Sequence, residues 1–170
     1  MNEGQLSTNK LRLLNERFVG GSCHFRSEAG SFSGRAGRRT LSFAAMFHLH
    51  CTKKLLDRIK PEIVEPGPSD TALGSWYATA LLWKPQVALL VSERTLLPVL
   101  MPLAPATTLA RRFTAQLALV LKEHGVPSEF IAQEVWRMDK VQYAKTANRS
   151  VVGILNEFVK QAEFWLAAYA

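Results

Sequence analysis

The spacing of apolar residues changes along this chain, and each spacing predicts an element of secondary structure. Between residues 47 and 52 apolar and polar side chains alternate, which is typical of a half-buried strand. Three further runs, joined by short polar turns, predict an antiparallel meander at 76–83, 87–92 and 96–103. The middle run is apolar throughout, so we expect both of its faces to be covered. Pro98 and Pro102 in the third run indicate an edge strand or a bulge.

Segments with helical spacing of apolar residues lie between these strands and after them. Apolar residues recur every three to four positions in four segments, at 53–59, 107–124, 128–138 and 150–168. A short strand at 141–144 precedes the last segment. The elements predict one α+β domain over 46–170, with a small, mainly antiparallel sheet of four to five strands and three to four helices packed mainly on one face. Gly153 lies inside the last helix, where glycine costs about 1 kcal/mol against alanine, so we expect close packing to require it.

Residues 1–45 differ in character from the rest of the chain. They are rich in glycine, serine and arginine, and only 9–18 has the spacing of a short helix, which on its own would be marginal. Three interpretations stay open. The segment is translated sequence upstream of a true start at Met46, a disordered basic arm that contacts nucleic acid or a partner, or an organelle targeting peptide.

Composition limits the classes of function that need to be considered. With 170 residues, 48% of them hydrophobic, the chain supports one domain with a sizeable core. No apolar run is long enough for a membrane span, so we expect no membrane partner. The net charge of +7 is uneven, because residues 1–45 contribute +4 and the longer remainder only +3. Cys23 and Cys51 suit neither a disulfide framework nor a metal quartet, which favours free thiols and a cytoplasmic location.

The densest polar cluster, residues 145–150, leads directly into the last helix. Amide groups at a helix start attract anions, and neighbouring cations reinforce that attraction. We therefore expect an anion-accepting pocket formed by Lys53, Lys54, Lys145, Thr146, Asn148, Arg149, Ser150 and, about two turns along the helix, Asn156. The structural alternative is that Asn148 or Ser150 caps the helix while Arg149 pairs with a surface acid.

Other candidates each have a plainer interpretation. His48 and His50 lie on one side of a strand and could share a metal, but structural histidines are the commoner case, and we expect no metal or other cofactor. Cys51 precedes two lysines, which would suit a nucleophile with a lowered pKa, although a core thiol explains it equally.

Aromatic residues border the first meander strand. Trp76, Tyr77 and Trp83 stand near basic residues, as in platforms that bind single-stranded nucleic acid, and also as in any sheet packed under helices. No phosphate-binding glycine loop, zinc-protease motif or nucleophile elbow is present, so the sequence leaves open whether the protein is an enzyme.

Four pieces of the sequence carry a resemblance to a known family. They are Cys51-Thr52-Lys53-Lys54-Leu55, Trp76-x-Ala78-x-x-Leu81, Thr95-Leu96 and Lys145-Thr146-x-Asn148-Arg149-Ser150-Val151-x-Gly153-x-x-Asn156. Together, over about 46–158, they resemble a bacterial family known only as a domain of unknown function, number sixty-nine thirty-three. The resemblance implies a domain that begins at Met46 and directs attention to the polar residues of the last motif. It implies no activity.

Two functional hypotheses follow from the residues. The first is a binding module whose polar pocket receives an anionic small molecule or nucleic-acid phosphate. The second is a small enzyme that uses Cys51 or a histidine beside the same polar corner. A purely structural partner protein is the third possibility.

Overall fold

A computed structural model describes residues 8–20 and 46–168, and its elements follow the predicted order. They are α1 (Thr8–Gly20), β1 (Met46–Cys51), α2 (Lys53–Ile59), β2 (Trp76–Leu81), β3 (Val87–Ser92), β4 (Pro98–Pro102), a 3-10 turn (Ala106–Thr108), α3 (Leu109–Glu123), α4 (Ser128–Arg137), β5 (Lys140–Lys145) and α5 (Arg149–Ala168). Cys23 and the glycine- and arginine-rich part of the N-terminal segment lie outside the described residues.

The strands form one sheet in the order β4-β3-β2-β1-β5. β2, β3 and β4 are antiparallel neighbours, as the tight turns between them predict. β1 lies between β2 and β5 and runs parallel to both. The predicted α+β class and the five-stranded sheet are confirmed, and two of the four strand pairings are parallel.

Helices cover both faces of this sheet, whereas the sequence suggested mainly one. Phe47 and Trp76 point to the same face, where the ring centroid of Phe113 in α3 lies 6.2 and 4.7 Å from theirs. Tyr77 follows Trp76 on β2 and therefore points to the opposite face. There its hydroxyl accepts the N–H of Asn148, which precedes α5. With helices on both faces, every residue of β3 is buried, as its uninterrupted apolar run predicts.

The free edge of β4 is occupied by α1. Leu11 and Leu14 are buried in the main core, and the side-chain amide of Asn15 bonds to both backbone groups of Leu100. Pro98 and Pro102 stand two residues to either side of Leu100, so their backbone also faces this edge, where proline has no N–H to offer. The edge strand predicted from these prolines is confirmed. The isolated helix expected near 9–18 is packed against the domain.

A buried acid fixes the connection between α2 and β2. Glu134 of α4 is 1% exposed, and its carboxylate accepts the N–H groups of Ala72 and Leu73 at 2.8 and 2.9 Å. Two charge-assisted hydrogen bonds satisfy a carboxylate that burial would otherwise penalise. The connection therefore enters β2 at a defined position. None of the helices in the described ranges has the length and apolar character that a bilayer crossing requires.

Candidate functional site

Three adjacent parallel strands, β5, β1 and β2, end at the same side of the sheet. Cys51 at the end of β1 pairs with Lys145 on one side and with Ala78 on the other. The N–H of Thr52 then donates to the carbonyl of Ala78 at 2.9 Å, which continues the pairing into the start of α2. The connections that follow β1, β2 and β5 therefore leave from one edge. In open sheets with parallel strands, this carboxyl edge is where ligands most often bind.

Several cations lie at this edge. Lys53 and Lys54 begin α2, Lys84 lies in the turn after β2, and Lys145 ends β5. All four are exposed, and none forms an ion pair within the part of the chain that the structure describes. The connecting residues 52–56, 82–86 and 146–150 contain no aspartate or glutamate. We call Lys53, Lys54, Lys84 and Lys145 the basic edge.

Acidic residues lie in the other connections of the sheet. The segments that lead into β2 and β5 and the turn that follows β3 contain Glu62, Glu65, Asp70, Glu93 and Asp139. One of them, Glu93, contacts Asn148, which lies three residues after Lys145. Among the described residues, none of these acids forms an ion pair with a lysine of the basic edge.

The polar cluster at the start of α5 is arranged differently from the prediction. Asn148 Oδ1 accepts the N–H of Ser150 at 3.1 Å and of Val151 at 3.4 Å, which is the geometry of a helix cap. Its Nδ2 donates to Glu93 Oε1 at 3.2 Å. Asn148 thus follows the structural alternative. A carboxylate of the protein itself lies near the positive end of the helix dipole.

The predicted site residues consequently fall into separate groups. Lys53, Lys54 and Lys145 lie at the carboxyl edge, and half-buried Thr146 follows Lys145. Arg149 and Ser150 are exposed in the first turn of α5, beside Asn148. Asn156 is exposed about two turns further along the helix. The structure adds Lys84, which the sequence did not single out because only the parallel pairing of β1 with β2 brings the β2–β3 turn to this edge.

A polar group that the sequence analysis also missed lies under Asn148. His50 is 5% exposed and stacks on Tyr77 with ring centroids 4.6 Å apart, while its Nδ1 lies 2.9 Å from the carbonyl of Lys145. Burial raises the pKa of Tyr77, the N–H of Asn148 opposes that shift, and the Glu93 carboxylate adds to it. Tyr77 is therefore a neutral donor and acceptor that fixes the path from β5 into α5.

The two histidines of β1 do not form the shared metal site that was considered. His48 Nε2 lies 2.8 Å from Gln142 Oε1 and 3.2 Å from the amide of Gly67. His50 is engaged with Lys145 and Tyr77. Within residues 8–20 and 46–168, no group of three histidine, cysteine or acidic side chains is placed to hold a metal ion.

Cys51 is a core residue with the wrong ionisation for a nucleophile. It is 1% exposed, and burial raises its pKa to about 12. A reactive cysteine needs a lowered pKa and access to solvent, so the lysines that follow Cys51 do not activate it. The enzyme hypothesis named Cys51 or a histidine, and the burial of Cys51 argues against the first of these.

Of the three aromatic residues near β2, only one is available to a partner. Trp76 and Tyr77 are buried, as the core interpretation of those two residues predicts. Trp83 lies beyond the end of β2 and is half-buried. No platform made of all three exists.

Neither of two clefts on the described surface contains a predicted site residue. The first, about 480 Å³, lies between the end of α2, the 3-10 turn and β5, and the second, about 370 Å³, lies along the outer side of α5. The lysines of the basic edge lie outside both clefts. Gly153 also departs from expectation, because a Cβ added there meets nothing within 4 Å and close packing does not require the glycine.

Comparison with known proteins gives the family and nothing about activity. No curated protein and no solved structure matches the chain. The model of one family, described as Domain of unknown function (DUF6933), matches residues 48–170. That range contains β1 to β5 and α2 to α5, and therefore the whole basic edge, while α1 lies before it. The chain belongs to the DUF6933 family.

Proposed function

We propose that this protein is a binding module that receives phosphate groups of a nucleic acid on the basic edge of its sheet. The observation that supports the proposal is the convergence of Lys53, Lys54, Lys84 and Lys145 on one edge, where none of them forms an ion pair with another described residue. The connecting residues that follow the three strands, 52–56, 82–86 and 146–150, contain no aspartate or glutamate. Unpaired cations on a surface are free to replace the counterions of a polyanion. We also propose that the protein is bacterial and cytoplasmic.

The exposure of all four lysines of the basic edge favours an extended ligand over an enclosed small molecule. Small-molecule sites bury most of the ligand in a concave pocket. The lysines stand at the ends of separate connections along three neighbouring strands, and strands are spaced about 4.8 Å apart. A chain of phosphates can contact several such positions at once, whereas one small anion can contact few of them.

A pair of double variants tests the proposal. Lys84→Ala with Lys145→Ala removes half of the basic edge, and Lys122→Ala with Lys140→Ala removes the same charge from exposed positions elsewhere. We expect the first pair to weaken binding of a fluorescent oligonucleotide on the order of tenfold at low salt, and the second pair to bind like the unmodified chain. Equal affinities for the two double variants would contradict the proposal.

The alternative, a small enzyme that uses Cys51 or a histidine, has less support. Burial raises the pKa of the Cys51 thiol to about 12, and both histidines of β1 are buried.

A further inference from the structure

The turn between β2 and β3 carries an aromatic side chain next to a cation. Leu82 is 58% exposed, Trp83 packs partly against the core, and Lys84 is exposed. Within the described residues Trp83 makes no ring contact and its indole N–H has no hydrogen-bond partner. Its core contact holds the indole in place, while the remaining surface of the ring stays accessible.

This turn lies at the far end of the basic edge. Ala78 is level with Cys51 and Lys145, and Leu81 lies three residues further along β2. At about 3.3 Å per residue, the strand carries the turn roughly 10 Å beyond the lysines of β5 and α2. The edge therefore extends from Lys145 through Lys53 and Lys54 to Trp83 and Lys84. That length suits a ligand of several nucleotides.

We propose that the ligand is a single-stranded nucleic acid, with phosphates on the basic edge and one unpaired base stacked on Trp83. This inference rests on the proposed function and adds the class of nucleic acid. Proteins that bind single strands without a sequence preference place cations along the phosphate backbone and aromatic side chains beside them. The aromatic side chains accept any base, because every base has a face that can stack. A duplex keeps its bases stacked on one another and offers none to Trp83.

Substitution of Trp83 tests the stacking contact. We expect Trp83→Ala to weaken binding of an oligothymidylate by about 5- to 150-fold, and Trp83→Phe to retain most of the affinity. Trp136→Ala is the matched control, since Trp136 is 71% exposed on α4, away from the edge, and its loss should leave binding unchanged. Oligothymidylate should also quench tryptophan fluorescence in the unmodified chain and lose most of that effect in Trp83→Phe.

Inorganic polyphosphate separates this inference from the proposed function, because it has phosphates and no bases. We expect the unmodified chain and Trp83→Ala to bind polyphosphate equally. If Trp83→Ala also binds oligothymidylate normally, stacking is excluded while phosphate binding stands. If the variant loses polyphosphate as well, Trp83 supports the fold of the edge and the stacking role is excluded. If neither ligand binds the unmodified chain, both proposals fail. A duplex bound as tightly as the single strand would overturn the inference alone.

Discussion

Cys51 shows how one position can fit a reactive motif in sequence and a core in structure. The thiol stands in a strand beside two lysines, but its side chain points into the apolar face that α3 covers. Alternation along β1 predicts this orientation correctly. The sequence could not supply the depth of burial, which depends on packing by α3 from more than fifty residues away.

Alkylation measures the state of this thiol. In the folded protein the pKa of Cys51 is raised from 9.0 to about 12. Iodoacetamide should therefore react with Cys51 far more slowly at neutral pH in the folded protein than in the unfolded chain. Peptide mapping distinguishes Cys51 from Cys23, the second thiol of the chain. The protonated thiol favours the folded state, so this contribution to stability is complete below pH 9 and declines as pH rises toward 12. Rapid labelling of Cys51 in the native protein at neutral pH would contradict its assignment to the core.

Gly153 gives a second test at the level of one residue. It lies in the interior of α5 with open space around it, so alanine should raise the free energy of unfolding by about 1 kcal/mol through helix propensity and the entropy of the unfolded chain. Urea denaturation measures the change.

Gly125 is the matched control for Gly153. A Cβ added there also meets nothing within 4 Å, but its φ of +70° is a conformation that alanine adopts poorly. Gly125→Ala should therefore destabilise the domain while Gly153→Ala stabilises it. The same sign for both substitutions would show that the open space at Gly153 is not what determines its effect.

At the level of elements, α1 is the least expected feature of the fold. Its sequence has the apolar spacing of a helix, yet an isolated helix of this length is marginal in water. What stabilises it is tertiary: Leu11 and Leu14 join the core, and Asn15 supplies the donor and the acceptor that a neighbouring strand would give to Leu100. The sequence could not predict this contact, because Asn15 and Leu100 are 85 residues apart.

Substitution of Asn15 tests the role of α1 at the edge of β4. Asn15→Ala leaves the N–H and carbonyl of Leu100 without partners, so we expect a loss of about 1–3 kcal/mol in the free energy of unfolding and faster hydrogen exchange at the Leu100 amide. Leu13→Ala is the control, since Leu13 is 55% exposed on the same helix and should change neither quantity. If hydrogen exchange at the Leu100 amide is unchanged in Asn15→Ala, the contact between α1 and the edge of β4 would be contradicted.

At the level of the whole molecule, sequence patterns predicted the individual elements better than they predicted which elements lie next to one another. The apolar run of β3, Pro98 and Pro102 in β4 and the helical stripe of α5 each carry their structural role in the local sequence. The position of β1 between β2 and β5 does not, because alternation fixes which way side chains point and says nothing about which strand lies alongside.

The position of β1 between β2 and β5 determines which residues of the candidate site could be predicted from the sequence. Lys53, Lys54 and Lys145 were expected together, and the parallel pairing of β1 with β5 brings their connections to one edge. Lys84 and Trp83 belong to the same edge only because β2 is also parallel to β1. Asn148 was expected to face a ligand and instead contacts Glu93, which lies 55 residues earlier in the sequence.

The most direct test of the basic edge compares the two ends of β5. Lys140 and Lys145 are both exposed, on the same strand, and only Lys145 lies at the carboxyl edge. For oligothymidylate binding, the logarithm of the affinity should fall linearly with the logarithm of the salt concentration. We expect Lys145→Ala to make that slope shallower by about 0.7, the value for one phosphate contact on a single strand, and Lys140→Ala to leave it unchanged. Identical slopes for the two variants, or an affinity that does not depend on salt, would contradict phosphate binding at this edge.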